Sequence, residues 1–596
     1  MKKNLLFLPL FAALALTGCS KDEVATESGS GISDGEPRYL AVSIATTPSL
    51  GESTRAVDKA NDNGTYTQSN GSYEDGLAEE NKVNKVRFYF FTETGAAMSV
   101  KKGSTNNYYD CTPNVETNGA DHSQTVSTGL EAVLVISTKE GDQMPSSMMA
   151  VINPTTAMDK SMNRESLMNL AENYAAHSNG FMMSNSVYLD TSDNIVDDTP
   201  IYLAHYSKSP EEAQKNPVRI YVERSMAKVR VELGGNLQSK SEPTTDAKGN
   251  AHDLIALTYL DDAKVAQPLT IGEGTAKQQV YVELLGWNVD GIRSDAYAVK
   301  NLRTGEGAWT NSTAPAGMDA SWNLPQLHRC FWALNTSVEG NTYFNYNELK
   351  GIPFTGTNYT YCNENAERAT KTLATSVVIP ARLCDKDGNS LTICEYAGVR
   401  FVDDEEFTRL KTQTAFRLQN TENFFWTKET KDGAATWRQL TKDDIEYVLV
   451  STAPTPDINN RYYVKPQLTA AASKLKWYKS EPVDGATQEE WTPAQIAAVF
   501  APYATTKIWK SGMTYYALFI PHLSANAASN PVYGVVRNHV YAITIDNIYG
   551  LGTPVYDPEI KIIPEKVVVD DVYLSAKVEL LSWRVVPNNV TLDWGK

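Results

Sequence analysis

Alternation of apolar and polar residues with a period of two dominates this chain, and its clearest long run is the last one. Across 572–592, Val572, Leu574, Ala576, Val578 and Leu580 alternate with polar neighbours, the period of a half-buried β-strand. At Leu580-Leu581 the phase slips by one, and Leu581, Trp583 and Val585 then carry the apolar face. Such a slip predicts a β-bulge. At the other end, 39–45 forms a first strand with Leu40, Val42 and Ile44 on one face. Runs at 82–91, 132–136 and 148–152 predict strands, the last two apolar enough for the interior of a sandwich. Met162, Leu167, Leu170, Ala171 and Tyr174 have helical spacing and predict a helix over 161–176. Strands follow at 181–188 and 218–232, and the second is long enough to mark a domain junction. Further strands are predicted at 277–289, 515–521 and 539–548, and helical pieces at 404–411 and 492–500.

The stretch between the first two strands has no apolar period. After the turn-rich residues 46–54 come Arg55 and Ala56, then polar sequence to about residue 80 with two Asn-Gly pairs. A polar loop of this length is open to proteases. A cut after Arg55 detaches the first strand from the chain and leaves it held in its sheet by non-covalent contacts alone. The two segments V-E-L-L-G-W-N-V (282–289) and V-E-L-L-S-W-R-V (578–585) match at six of eight positions. Chance similarity between two strands is favoured over two strands made for similar grooves.

Length and composition refine this picture. With 596 residues the chain exceeds one hydrophobic core, so two or more domains are expected. A 42% hydrophobic content with 31 Tyr and 11 Trp, many in alternating runs, fits a β-rich protein. The formal net charge of −17 is spread along the chain, with no basic stripe, and argues against nucleic acid as a partner. At the N-terminus, Lys2 and Lys3 precede an apolar run from Leu5 to Leu16, too short to span a membrane as a mature helix. Leu16-Thr17-Gly18-Cys19 then resembles a bacterial lipobox, with Cys19 as the lipidated residue. Ser20-Lys21-Asp22-Glu23 resembles the acidic tag of surface lipoproteins of Bacteroidota, and residues 24–37 read as a flexible tether. The five other cysteines, Cys111, Cys330, Cys362, Cys384 and Cys394, are odd in number and contain no CxxC. Cys384 and Cys394 flank a hairpin turn at Asp387-Gly388-Asn389. A facing pair and two buried free thiols remain equally open there.

No catalytic, cofactor or metal motif is present: G-x-S-x-G, H-E-x-x-H, Walker and G-x-G-x-x-G patterns are all missing. His522 and His539 lie near strands but lack a carboxylate or Cys at metal spacing, so structural roles are favoured. Asp385-Lys386-Asp387-Gly388-Asn389 is part of a calcium-loop pattern without its distal Glu, and a hairpin turn explains it better. Trp322, Trp332, Trp426, Trp437, Trp477, Trp491 and Trp509 suit either sugar stacking or a sandwich core, with the core favoured.

Several segments together carry a family resemblance. Phe181-Met182-Met183-Ser184-Asn185-Ser186-Val187-Tyr188, Glu223-Arg224-Ser225-Met226-Ala227-Lys228-Val229 and Tyr361-Cys362-Asn363-Glu364-Asn365 resemble motifs of the Mfa1-type major fimbrillins of Bacteroidota, subunits of type V pili. Tyr533-Gly534-Val535-Val536-Arg537-Asn538-His539-Val540-Tyr541, continuing through Gly550-Leu551-Gly552-Thr553-Pro554-Val555, is the best match. Residues 235–275 and 410–510 match no motif, and the chain runs on through Asp593-Trp594-Gly595-Lys596. The resemblance implies an all-β chain of two transthyretin-like β-sandwich domains with a few short helices and a C-terminal donor strand. The expected layout is a signal peptide over 1–19, a tether over 20–38, sandwiches over 39–220 and 221–565, and a donor segment over 566–596. It further implies export as an outer-membrane lipoprotein through Cys19 and cleavage between Arg55 and Ala56 by an Arg-specific or trypsin-like protease. The first strand, 39–55, then leaves, and another subunit's terminal strand fills its place through Val578, Leu580, Leu581, Trp583 and Val585. The implied product is an adhesive, biofilm-forming fimbria. Its implied partners are other copies of the chain, anchor and tip subunits, and host or bacterial surface receptors.

Physical reasoning agrees with strand exchange. A sheet lacking one strand exposes unpaired N–H and C=O groups beside an apolar groove. Four or five apolar donor side chains at about 1.5–3 kcal/mol each supply on the order of 6–15 kcal/mol before ordering costs. A tip or anchor subunit, or a glycan-binding lipoprotein of a polysaccharide-uptake system, is the alternative. A stalk subunit is favoured over tip or anchor because the chain carries both a cut site and a donor. An enzyme is not expected.

Overall fold

The computed structural model describes residues 38–45, 56–60, 66–69, 73–75, 77, 79–100, 104–114, 130–137, 143–176, 180–190, 195–301 without 239, 247 and 264, 327–329, 333–336, 340–365, 374–420, 424–451 without 432 and 433, 462–523 without 484, 532–564, 573–584 and 591–593. The chain is all-β, with a few short helices. The strands used below are β1 (Arg38–Ala45), β2 (Val86–Phe91), β3 (Tyr108–Asn114), β4 (Leu130–Ile136), β5 (Ser147–Ile152), β6 (Met183–Asn185) and β7 (Val218–Arg224) in the first half. They continue with β8 (Met226–Leu233), β9 (Tyr281–Leu284), β10 (Thr355–Asn363), β11 (Ser376–Cys384), β12 (Met513–Phe519), β13 (His539–Tyr549), β14 (Tyr573–Arg584) and β15 (Thr591–Asp593). The helices named are α1 (Arg164–Met168), α2 (Thr408–Asn420) and α3 (Pro493–Phe500).

The first strands wrap into a closed ring. β1 pairs with β7 and β4, β15 bridges β4 and β3, and β2, β5 and β6 complete the path back to β7. The ring encloses an apolar core that contains Leu40, Val42, Ile44, Phe88, Phe90, Leu134, Ala150 and Ile220. β2 and β5 are buried on both faces for a specific reason. Val86, Phe88 and Phe90 point into the ring, while Tyr89 and Phe91 pack with Met149, Val151 and Met226 in a second cluster outside it. A run without alternation is what two-sided burial demands.

At Ser225 the chain leaves the ring and enters a two-layered sandwich, so the single strand predicted over 218–232 is two strands. One layer is β10-β8-β13-β14 and the other contains β9-β11-β12. Val229 and Val231, Tyr541 and Ile543, Val377 and Ile379, and Tyr516 fill the space between the layers. β11 pairs directly with β12, although residues 392–509 lie between them. That intervening stretch builds its own sheets and its own core around Phe401, Leu410, Phe425, Tyr447, Trp477 and Ile508.

Several expectations need correction. The helix predicted over 161–176 is only α1, capped by Asn163, whose side chain accepts from Ser166 N–H at 2.7 Å. Ala171–Glu172 instead pairs with Ala296–Tyr297, and that tertiary pairing overrides the helical spacing. The helix expected at 404–411 begins later. Asp403 and Asp404 are its cap, accepting from Leu410 N–H at 2.8 Å and Thr408 N–H at 2.9 Å. α3 follows its predicted range, with Thr492 and Gln495 forming a capping box ahead of Pro493. The polar stretch after Arg55 contains short strands at Ala56–Ala60, Tyr66–Ser69 and Tyr73–Asp75 rather than loop alone. The β14 pairing is in register through Leu580 and Leu581. Its shift falls on the partner strand, between Ile545 and Asn547, so the predicted bulge lies elsewhere. The look-alike segment at 282–289 is broken at Gly286, whose φ is +106°, whereas β14 runs through the equivalent Ser582 without a break.

Candidate functional site

The first strand is a central strand, hydrogen-bonded along both edges. It runs antiparallel to β4 from Arg38↔Ile136 to Ile44↔Leu130, and parallel to β7 from Val42↔Val218 to Ala45↔Tyr221. Near its start it also meets Tyr206–Ser207. Its inward side chains are shut off from water: Leu40 is 0%, Val42 1% and Ile44 2% exposed. Ala41 packs on the opposite face against Ala213. A strand with this burial is normally fixed by the chain on both sides. Here its C-terminal continuation enters residues 46–55, which contain Arg55 and lie outside the described residues, as does Cys19. Ala56 opens a strand that pairs in a hairpin with Tyr66–Ser69.

Downstream of that hairpin the chain is anchored at the junction of ring and sandwich. Glu80 is fully buried. Its carboxylate accepts from the Tyr361 hydroxyl at 2.6 Å and from Leu77 N–H at 2.7 Å, and pairs with Lys228 Nζ at 3.0 Å. Arg224 donates to the Glu80 carbonyl at 3.3 Å and to the Asn81 side chain. Burial pushes the Glu80 carboxyl up, but the Tyr361 hydroxyl, Leu77 N–H and Lys228 outweigh it and hold it below its ordinary value. Two more buried pairs flank this one, Lys300–Glu223 and Arg537–Glu364, each at 3.0 Å. The resemblance motifs around Glu223 to Lys228 and around Arg537 therefore build the junction. Paired buried charges of this kind hold one geometry, because losing either partner strands the other in a dry site.

The terminal strand β14 lies on the chain's own sandwich, at the free edge of β13, in the antiparallel register Ile543↔Val578, Tyr541↔Leu580 and Val540↔Leu581. Its far end meets Tyr73–Asp75 in parallel, with Trp583 opposite Glu74. Val585 lies outside the described residues. The three-residue β15, six residues beyond the end of β14, reaches the ring, where Thr591 stands opposite Glu131 of β4. In the single chain β1 and β14 thus occupy separate sheets, whereas β15 joins the sheet of β1, with β4 adjoining both.

Sequence reasoning could not see the Glu80 anchor, since its partner Tyr361 is 281 residues away. Other candidate residues have structural places. Cys111, Cys362, Cys384 and Cys394 are buried free thiols, whereas Cys330 lies outside the described residues. Asp385 and Asn389 close a hairpin turn: Asp385 N–H donates to the Asn389 carbonyl at 2.9 Å, and Asn389 N–H to the Asp385 carboxylate at 2.9 Å. Trp477 and Trp509 are core, Trp426, Trp437 and Trp491 are half-buried, and Trp322 and Trp332 lie outside the described residues. His539 is buried, with Nδ1 2.7 Å from the Arg537 carbonyl oxygen. Among the described residues no group of three or more His, Cys, Asp or Glu is placed to hold a metal, and no helix is long and apolar enough to cross a membrane.

Residues 507–589 match the family described as major fimbrial subunit protein type IV, fimbrillin, C-terminal. The matched stretch contains β12, β13 and β14. No curated protein sequence matches the chain. Among solved structures, similarity is found to fimbrilin (fimA) from Porphyromonas gingivalis, 12% identical over 92% of this chain and 98% of that one, with a TM-score of 0.33. The tip fimbrial protein Mfa3 of Porphyromonas gingivalis, with C-terminal truncation, is 9% identical over 92% and 100%, with a TM-score of 0.30. A candidate cell adhesion protein from Bacteroides eggerthii is 9% identical over 94% and 100%, with a TM-score of 0.34.

Proposed function

We propose that this chain is a structural subunit of a surface fimbria of the Mfa1 type, exported as a lipoprotein and polymerised by exchange of its first strand for another subunit's last strand. The observation that carries this is β1, a central strand with buried inward side chains whose continuation runs directly into the Arg55 stretch. The fimbrillin match over 507–589 supports the same family. In this account Cys19 holds the lipid, and an Arg-specific or trypsin-like protease cuts between Arg55 and Ala56. The product carries two sandwich domains, 39–220 less its first strand and 221–565, followed by the donor segment 566–596. The subunit assembles with copies of itself and with anchor and tip subunits, first at the outer membrane and then on the fimbria, where it contributes adhesion. Its work is structural rather than catalytic.

Cleavage supplies two things. It lowers the effective concentration of β1 at its own groove, which is in the millimolar range or above while the strand is tethered. It also leaves a groove whose walls, β7 and β4, present unpaired backbone groups to any incoming strand. The donor must first leave the edge of β13, so exchange is a competition between two sheets for each strand. The direct test removes residues 572–596. A folded monomer that no longer polymerises after cleavage is expected, and fibres of normal length from this deletion would sink the proposal.

A further inference from the structure

A second feature of the ring lies away from the exchanged strand. Beside β6 and β7 the segment from Ile195 to His205, whose Thr199–Pro200 pairs with β5, borders a cleft of about 220 Å³. This short segment holds three of the large apolar side chains that the described surface exposes: Ile195 at 37%, Tyr202 at 59% and Leu203 at 39%. The cleft is lined mainly by apolar surface, including Val196, Pro200 and Val218, with a few polar groups set among it. Tyr202 N–H donates to His205 Nδ1 at 3.1 Å, which places the imidazole proton on Nε2 and makes that nitrogen a donor. Asp198 binds Ser147 Oγ at 2.6 Å and Arg164 Nη1 at 3.0 Å through Oδ2 alone, so Oδ1 keeps its acceptor capacity. Arg219 lines the cleft, is exposed, and has no ion pair among the described residues. Ser186 lies at the cleft, 5% exposed, and its hydroxyl has no hydrogen-bond partner among the described residues.

We propose that this cleft binds a single pyranose ring of a glycan, with the Tyr202 ring against the sugar's C–H face and Asp198 Oδ1, His205 Nε2–H and Arg219 on its hydroxyls. Sugar hydroxyls both donate and accept, and the cleft offers both functions beside an exposed aromatic ring. A simple anion gains from Arg219 but meets the Asp198 carboxylate. An apolar side chain matches the apolar lining but leaves Asp198 Oδ1, His205 Nε2–H and the Ser186 hydroxyl without a partner in the complex. The volume is below the several hundred Å³ typical of larger ligands, which favours one ring over an extended chain. The site is independent of strand exchange and is present before cleavage. If the subunit polymerises, every copy repeats the site, and weak single-site binding becomes strong by multivalency.

Saturation-transfer NMR on the intact, uncleaved chain tests the site, using the methyl glycosides of galactose, glucose, mannose and N-acetylglucosamine as probes. Binding of at least one glycoside with Kd of roughly 1 mM is expected. Tyr202→Ala and Arg219→Ala, both at exposed positions, should each weaken it by about tenfold or more. Tyr259→Ala, an exposed tyrosine on another sheet, should leave it unchanged. Absence of transfer from all four glycosides, or equal transfer in Tyr202→Ala, overturns the proposal. Neither result affects strand exchange, which is read from polymers and not from sugar binding.

Discussion

Weakening the first strand's grip should make cleavage unnecessary. Leu40 and Ile44 are 0% and 2% exposed in the ring core, and truncation of such side chains to Ala costs about 2–5 kcal/mol each. The double variant Leu40→Ala/Ile44→Ala therefore loses roughly 4–10 kcal/mol of strand binding. The advantage that tethering confers is smaller. A strand tethered at about 1 mM effective concentration, against donors at about 1 µM, is favoured by a factor of about a thousand, or ~4 kcal/mol. The double variant should accordingly form oligomers without protease, resistant to SDS in unboiled gels, while the unmodified precursor stays monomeric. Circular dichroism checks that the rest of the chain is folded. The same variant lacking residues 572–596 must remain monomeric, which separates exchange from aggregation. A folded double variant that stays monomeric for days at this concentration would refute the competition argument.

Four further outcomes follow from the junction, the turn at Gly286 and the buried thiols. Because the Glu80 carboxyl is held below its ordinary value in the folded chain, its stabilisation is present above the unfolded carboxylate pKa. That stabilisation is lost as pH falls through the folded value. Thermal melts of Glu80→Gln should show a lower Tm at neutral pH and a shallower acid decline than the parent, and a parallel decline would contradict this. Lys228→Met should destabilise by about 3–5 kcal/mol in denaturant titrations, since it strands a buried carboxylate. At Gly286, with φ +106° and a would-be Cβ 2.9 Å from Gly351 N, replacement by Ser should cost about 1–3 kcal/mol or more, measurable as a drop in the denaturant midpoint. Burial pushes the Cys362 and Cys384 thiols up to about 12 and raises that of Cys394. Iodoacetamide mapping should therefore find these three unmodified until the chain is unfolded.

The sheet pattern was legible wherever one face met a single core. Leu40, Val42 and Ile44 alternate because only one side of β1 faces the ring interior. β2 showed as a strand despite lacking alternation, because its aromatic and β-branched residues fill two cores. The helix over 161–176 misled because Met162, Leu167 and Tyr174 are all buried, but in a short helix and turns around the junction cluster. Asp404 read as the first residue of a helix over 404–411, yet its carboxylate and that of Asp403 cap the helix from outside. The junction ion pairs were illegible for another reason. Glu80, Lys228 and Tyr361 come together only after both sheets are built, and no local pattern marks a buried charge as paired. The terminal strand's apolar pattern showed that it must be covered, without saying by which sheet. In the single chain its own β13 does so.

Limited trypsin digestion of the precursor bears most directly on the central claim. Mass spectrometry identifies the cut, and unboiled SDS gels show the products. A first cut between Arg55 and Ala56, release of the peptide bearing Leu40, Val42 and Ile44, and a ladder of SDS-resistant oligomers are predicted. A protein cut there that keeps its first strand, or loses it and remains monomeric, would contradict polymerisation by strand exchange.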